Sequence, residues 1–420
     1  MSAPAPRSAY IHIPFCHRRC FYCDFAVVPL GDRADARGGP GSRSIEAYLD
    51  QLLEEIRLSP PGPSLATVYI GGGTPSLLTP EQVGRVLTQL RQRFGFQSGA
   101  EVSLEMDPAT FARSDLEALT RCGVNRVSLG GQSFDDQVLA SLGRRHQRSD
   151  LLEACHWLHS AVERGCLRSW SLDLIRNLPD QNDAGWMCQL EQAVASGAPH
   201  LSIYDLSLEP GTVFSRLEQR GELQLPEEDG AADRIAATSA RLARAGYCRY
   251  EISNFARPGH ASRHNRVYWS GAGWWAFGLG ATSAPWGERF ARPRTREAYG
   301  HWLIQQREDG PHPSLLQALA SPLSMEDRLL VGLRRREGVD LMEQAHRCGL
   351  SSAWCQRWLP RLEARWEVFL ETALMQRRGC RWQLTDPQGM AVSNAVLVEL
   401  VDWWEGASAG VDPSASSSVP

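Results

Sequence analysis

Tyr10-Ile-His-Ile-Pro-Phe-Cys16-His-Arg-Arg-Cys20-Phe-Tyr-Cys23 is the stretch on which the fold turns. An apolar strand at 9–13 runs into Pro14, which ends it, so the three cysteines fall on a loop spaced C-x3-C-x2-C. A loop can wrap three thiolates round one centre, whereas a strand sends alternate side chains to opposite faces. Three cysteines do not complete a four-coordinate zinc site; His12 or His17 would have to supply the fourth ligand. They can hold three irons of a [4Fe–4S] cluster and leave the fourth iron open.

Outward from this loop, strands and helices alternate. Strands read at 9–13, 67–70, 101–105, 126–129, 170–175 and 200–206, with helices at 45–58, 80–94, 114–121, 151–163 and 183–195 between them. The strands read as short apolar runs rather than clean alternations, as parallel strands covered by helices do. Six β/α units predict an α/β fold, a partial (β/α)6 barrel rather than a closed eightfold one. Polar residues collect at the carboxyl ends of these strands, where β/α barrels place their sites: Gly71-Gly-Gly-Thr-Pro75, Glu105-Met-Asp107, Gly130-Gly-Gln132, Asp173 and Ser207.

Past residue 210 the pattern loosens. A helix at 227–245 leads into a polar, aromatic-rich stretch, and from about 324 helices at 325–335, 341–347 and 352–368 precede a turn-rich 377–387 and a last helix to 404. The expected units are a core barrel at 1–210, a barrel extension at 211–323, a winged-helix-like domain at 324–404 and a disordered tail at 405–420, with a mobile loop at 29–44.

The chain has 420 residues, 43% hydrophobic and 22% charged, with a net charge of −4. That balance argues against nucleic-acid binding. All 44 basic residues are Arg, which excludes a Schiff-base lysine and a Walker lysine. With no signal segment and no membrane-length apolar run, a cytoplasmic protein without a transmembrane segment is expected. Its 11 cysteines are expected to be reduced, and the eight outside the loop lack metal-ligand spacing.

The cysteine loop after the first strand of a β/α chain resembles the radical S-adenosylmethionine (SAM) superfamily. The flanking Tyr10-Ile-His-Ile-Pro-Phe-Cys16 and Gly71-Gly-Gly-Thr-Pro75 narrow the resemblance to its coproporphyrinogen-dehydrogenase-like branch, over nearly the whole chain. The resemblance implies a radical-SAM barrel, a cluster on Cys16, Cys20 and Cys23, and SAM at Tyr10, Tyr22, Gly72, Gly73, Thr74, Glu105, Gln132, Arg144, Asp173 and Ser207. Of these, Arg144 carries the weakest physical argument, since Gly-Arg-Arg-His also reads as a solvated helix start. Arg176-Asn177 departs from the family pattern, which has a glycine there.

Within that branch, oxygen-independent coproporphyrinogen III dehydrogenases carry a fourth cysteine two residues after the third and a longer N-terminal extension. Here that position is Phe25, and fifteen residues precede Cys16. Both departures point to the HemW-type heme chaperones, and a dehydrogenase is the alternative. His264-Asn265-Arg-Val-Tyr268-Trp269 matches the heme signature of that group. The resemblance implies heme as cargo, apo-hemoproteins as clients and an electron donor for the cluster. Imidazole is a competent axial ligand, and Trp274, Trp275 and Phe277 add flat area nearby, with Arg257, Arg263 and Arg266 for propionates. Read from the residues alone, the same stretch suits packing round a closing strand, with His264 a hydrogen-bonded structural residue.

Overall fold

The computed structural model describes residues 5–31, 40–226, 230–287, 289–310 and 323–408. Strands β1 (Ser8–Ile13), β2 (Leu65–Gly72), β3 (Phe96–Met106), β4 (Arg126–Gln132), β5 (Ser169–Arg176) and β6 (His200–Asp205) lie side by side in that order, all parallel. Helices α1 (Pro40–Leu58), α2 (Pro80–Phe94), α3 (Arg113–Cys122), α4 (Asp136–Ser141), α5 (Arg148–Glu163) and α6 (Asp183–Ala195) connect them. Trp275–Phe277 adds a parallel edge beside β1, and Asn254–Ala256 with Cys248–Arg249 adds an antiparallel edge beside β6. The nine-stranded sheet begins and ends on these short edges, so the barrel is partial.

The strands are two-faced, contrary to the expectation of plain apolar runs. Glu101-Val-Ser-Leu-Glu105, Arg126-Val-Ser-Leu-Gly130, Ser169-Trp-Ser-Leu-Asp173 and His200-Leu-Ser-Ile-Tyr204 alternate with period two. One set (Val102, Leu104, Val127, Leu129, Trp170, Leu172, Leu201, Ile203) is buried in the main core with Leu90, Leu119, Leu158 and Leu190 of the helices. The opposite set turns inward, because successive side chains on a strand take opposite faces. There Ser128 Oγ lies 2.7 Å from Ser171 Oγ and donates to Asp173 at 2.9 Å. The helices pack on the sheet in the ordinary way, and the polar residues are spent on the lumen.

The amino-terminal mouth of the barrel is plugged by the segment that follows Tyr250. The Tyr250 hydroxyl lies 2.8 Å from His200 Nε2, and His260 Nδ1 lies 3.0 Å from Ser169 Oγ. Arg126 donates to the His260 carbonyl at 2.9 Å. Glu101 accepts the backbone N–H groups of Arg263 and His264, at 3.2 and 3.0 Å, at the start of a floor helix, Arg263–Trp269.

Helices Met325–Leu333, Leu341–Arg347, Ser352–Glu371 and Ser393–Ser408 enclose a second, separate core built on Leu329, Leu362, Trp366, Trp382 and Leu400. A three-stranded antiparallel sheet, Val339–Asp340, Arg381–Leu384 and Met375–Arg378, flanks it. This unit meets the floor helix through the Arg266–Glu337 ion pair and the Arg334 guanidinium 5.5 Å over the Trp269 ring. The last helix runs on to Ser408, and residues 409–420, where most of the expected tail falls, lie outside the described residues. Of the expected loop at 29–44, residues 32–39 lie outside them too; Pro29 pairs with Cys16 and α1 begins at Pro40. Among the described residues no helix is long and apolar enough to cross a membrane.

Candidate functional site

The cysteine loop is tied down along its length. Phe15–Cys16 pairs with Val28–Pro29. Arg18 donates to the carbonyls of Gly143 and Arg144 at 2.6 Å each, and Phe21 N–H donates to the Leu142 carbonyl at 3.1 Å. Arg19 folds back onto the Cys23 carbonyl at 2.9 Å. Backbone this constrained holds Cys16, Cys20 and Cys23 along one wall of a cavity of about 760 Å³ at the carboxyl end of the strands.

Three thiols lining one cavity fit three irons of a cluster, with the fourth iron left open. Among the described residues, no group of three or more His, Cys, Asp or Glu is drawn together as round one metal. His12 is not a spare ligand: Nδ1 lies 3.0 Å from the Tyr10 hydroxyl and Nε2 2.8 Å from the Ala26 carbonyl. Burial pushes the Cys16 thiol up to about 12, and the neighbouring Cys20 and Cys23 add to the rise. Such a thiol ionises only against a cation, which iron supplies.

The triple glycine does its work by packing. Gly73 N–H and Thr74 N–H donate to the carbonyls of Ile13 and Phe15, at 2.8 and 2.7 Å, which splices β2 to the cysteine strand. A Cβ on Gly73 would lie 2.6 Å from the Phe15 carbonyl oxygen. Gly72 has φ +115°, and a Cβ there would meet the His12 ring at 2.5 Å. Both positions therefore demand glycine for protein contacts, while still lining the cavity.

The strand ends supply the polar floor. Glu105 accepts from Gly72 N–H and from the Tyr69 hydroxyl, each at 2.9 Å. Burial pushes its carboxyl up to about 7 against the pull of those two bonds. Burial also raises Asp173, against the pull of the Ser202, Ser128 and Ser171 hydroxyls, and its Oδ1 keeps no close hydrogen-bond partner among the described residues. An orphaned buried acceptor fits a ligand hydroxyl or amine. Gln132 reaches the cavity from a strand irregularity, with φ +65°. Tyr22, Thr74 and Ser207 also line the cavity, and Ser207 donates to Glu209 at 2.7 Å. Tyr10 does not line it; its ring stacks on Tyr69 one layer below, with centroids 6.2 Å apart.

Arg144 is no solvated helix start. It donates to Asp107 at 2.6 Å and to the Gly130 carbonyl at 2.8 Å, and lies 3.7 Å from Cys20 Sγ. Burial works against the Asp107 carboxylate, but the Arg144 guanidinium and His146 outweigh it and hold Asp107 well below the usual carboxylate range. Asp107 is a site residue that sequence reasoning missed, because its partner Arg144 lies 37 positions away. Asn177, in the Arg176-Asn177 pair that departs from the expected glycine, takes φ +58°, a conformation Asn tolerates. Its side-chain amide donates to Asp205 at 2.9 Å, beside the Arg176–Asp205 pair at 2.7 Å.

The residues expected to carry heme lie at the other end of the barrel. His264 is fully buried; Nδ1 is 2.8 Å from Thr67 Oγ1 and Nε2 2.9 Å from the Tyr268 hydroxyl. Burial lowers its pKa to about 3, so the ring is neutral, and neither nitrogen is open to iron. Trp275 and Phe277 are buried in the main core on the edge strand beside β1. Arg263 donates to the Gly99 carbonyl at 2.9 Å, Arg266 pairs with Glu337, and Arg257 stacks on Tyr247. Asn265 sits in the first turn of the floor helix, its N–H donating to Ser262 Oγ at 3.2 Å. Trp269 is half-buried.

A cysteine loop above a cavity at the carboxyl end of a partial parallel barrel is the arrangement of the radical SAM superfamily, whose family model matches residues 10–186. The heme chaperone HemW of Synechocystis sp. is 39% identical over 406 residues, 94% of this chain and 96% of its own. The heme chaperone HemW of Lactococcus lactis subsp. lactis is 33% identical over 353 residues, 83% and 87% of the two chains. The solved coproporphyrinogen III oxidase (HemN) from Escherichia coli, a radical SAM enzyme, shares the fold: TM-score 0.74, 22% identity, 94% of this chain and 90% of that one covered. This chain belongs to the HemW family of radical SAM proteins. The superfamily carries a [4Fe–4S] cluster and SAM, and the cysteine wall and the unpartnered Asp173 Oδ1 fit that pair.

Proposed function

We propose that this chain is a heme chaperone of the cytoplasm. It holds a [4Fe–4S] cluster on Cys16, Cys20 and Cys23, takes SAM into the cavity and passes heme to apo-hemoproteins, with an electron donor serving the cluster. The observation that carries this reading is Phe25. It is 53% exposed and lines the cavity where the dehydrogenase branch is expected to have a fourth cysteine. A benzyl group supplies neither a thiol nor a proton relay at that place. Likeness to proteins named as heme chaperones, over nearly the whole chain, supports the same reading.

When bound, the cluster supplies one electron at its open iron. Glu105, Asp173, Gln132 and Ser207 offer acceptors to the amine and ribose hydroxyls of SAM. Arg144 holds a positive charge beside Cys20, and Gly72, Gly73, Thr74 and Tyr22 shape the walls. Of the four residues expected to meet heme, His264 is buried while Asn265, Tyr268 and Trp269 are half-buried, with Arg334 over the Trp269 ring.

The test is anaerobic reconstitution with iron and sulfide, followed by heme transfer to an apo-hemoprotein and a coproporphyrinogen III assay with SAM and reductant. Transfer of heme with no protoporphyrinogen above background is expected. Robust turnover of the porphyrinogen would establish a dehydrogenase instead.

A further inference from the structure

The two ends of the barrel are joined by a column of side chains through its lumen. At the top, both oxygens of Glu105 are fixed, one by Gly72 N–H and one by the Tyr69 hydroxyl. The Tyr69 ring itself has to be held for that bond to persist. It stacks on Tyr10, centroids 6.2 Å apart and planes at 21°, and on His264, at 5.2 Å and 25°.

His264 is in turn held on every side. Its backbone N–H donates to Glu101 at 3.0 Å, and its two ring nitrogens bond Thr67 and Tyr268. The Tyr268 ring rests edge-on against Trp274, with centroids 4.8 Å apart. A neutral, fully hydrogen-bonded imidazole in a packed floor has one rotamer and gives Tyr69 a rigid face to lean on.

We infer that His264 is a positioning residue for the SAM site: it props Tyr69 so that the Tyr69 hydroxyl holds Glu105 in place. This rests on the reading of the upper cavity as the SAM site. It gives the His264-Asn265-Arg-Val-Tyr268-Trp269 stretch a role that needs no iron. It also ties the floor helix, and with it the C-terminal unit that grips Arg266 and Trp269, to the geometry of the cavity.

The experiment uses the full chain with its cluster reconstituted, and reads SAM affinity by equilibrium dialysis and by the change SAM makes in the EPR spectrum of the reduced cluster. Tyr69→Phe removes only the hydroxyl, and should weaken SAM about tenfold, the worth of one hydrogen bond to a charged group. It should also move the pH midpoint of SAM binding upward, a shift that a merely structural role would not produce, because that bond favours the ionised Glu105. His264→Ala should weaken SAM to a similar degree with iron and sulfide content unchanged. His264→Phe keeps a ring against Tyr69, and should recover most of the affinity. If the wild type binds SAM and Tyr69→Phe binds it equally well with an unmoved pH midpoint, the inference is overturned, whether or not His264→Ala folds. A His264→Ala protein with wild-type affinity overturns it too. A wild type that carries its cluster and leaves SAM unbound overturns the SAM reading, and this inference with it.

Discussion

The carboxyl and amino ends of the barrel are built from the same kinds of residue, and use them in opposite ways. At the carboxyl end, Glu105, Asp173, Gln132 and Arg144 line an open cavity, and Asp173 Oδ1 has no partner among the described residues. At the amino end, Glu101, Arg126 and His200 meet a plug that reaches into the barrel and bonds each of them, although Arg126 Nη2 and His200 Nδ1 keep no hydrogen-bond partner among the described residues. Buried polar groups are either satisfied by the protein or left for a ligand. Orphaned atoms occur at both ends, so what marks the carboxyl end as the binding site is the open cavity over its polar groups, where the amino end is filled by the plug.

The largest effect expected belongs to the cavity wall. Cys20→Ala should abolish the low-temperature EPR signal of the reduced cluster, because no fourth thiol lies on the loop. Cys248→Ala should leave it intact, since Cys248 lies on the edge strand beyond β6. A cluster that survives loss of Cys20 would erase the distinction between the two ends.

Next in size is the Arg144–Asp107 pair, mostly buried, with side-chain exposures of 12% and 18%. Arg144→Ala takes the guanidinium from the Asp107 carboxylate and leaves His146 beside it, at a cost on the order of 3 kcal/mol, measurable by denaturant unfolding. On the exposed side of the molecule, Arg113→Ala breaks the Glu117 pair and should cost under about 1 kcal/mol.

A smaller effect sharpens the contrast through pH. Burial holds the Glu105 carboxyl at about 7, so its anion forms only as pH rises through neutrality. The anion accepts more strongly than the acid, so SAM affinity should climb as pH rises through about 7. Glu105→Gln should flatten that rise. Ser207→Ala should matter least, within about twofold in SAM affinity, because Ser207 is exposed and already bonded to Glu209.

The cysteine loop was fully legible because its chemistry lies in consecutive residues. The six strands, with Glu105 and Asp173 at their ends, were legible because period and order are local properties. What escaped were contacts between residues distant in sequence. Arg144 meets Asp107 across 37 positions, and nothing near Gly-Arg-Arg-His announces a buried ion pair. His264 meets Thr67 across 197 positions, and its partners decide that both nitrogens are taken. The alternation Glu101-Val-Ser-Leu-Glu105 was there to be read, and it was the available sign of a polar lumen.

The most direct test of the contrast is a heme titration of His264→Ala beside the wild type, watched in the Soret region, with SAM affinity measured on the same protein. The account predicts an unchanged Soret maximum and SAM binding about tenfold weaker, the loss expected when one bond to a charged group goes slack. A shifted Soret maximum with SAM affinity intact would make His264 an iron ligand and contradict it.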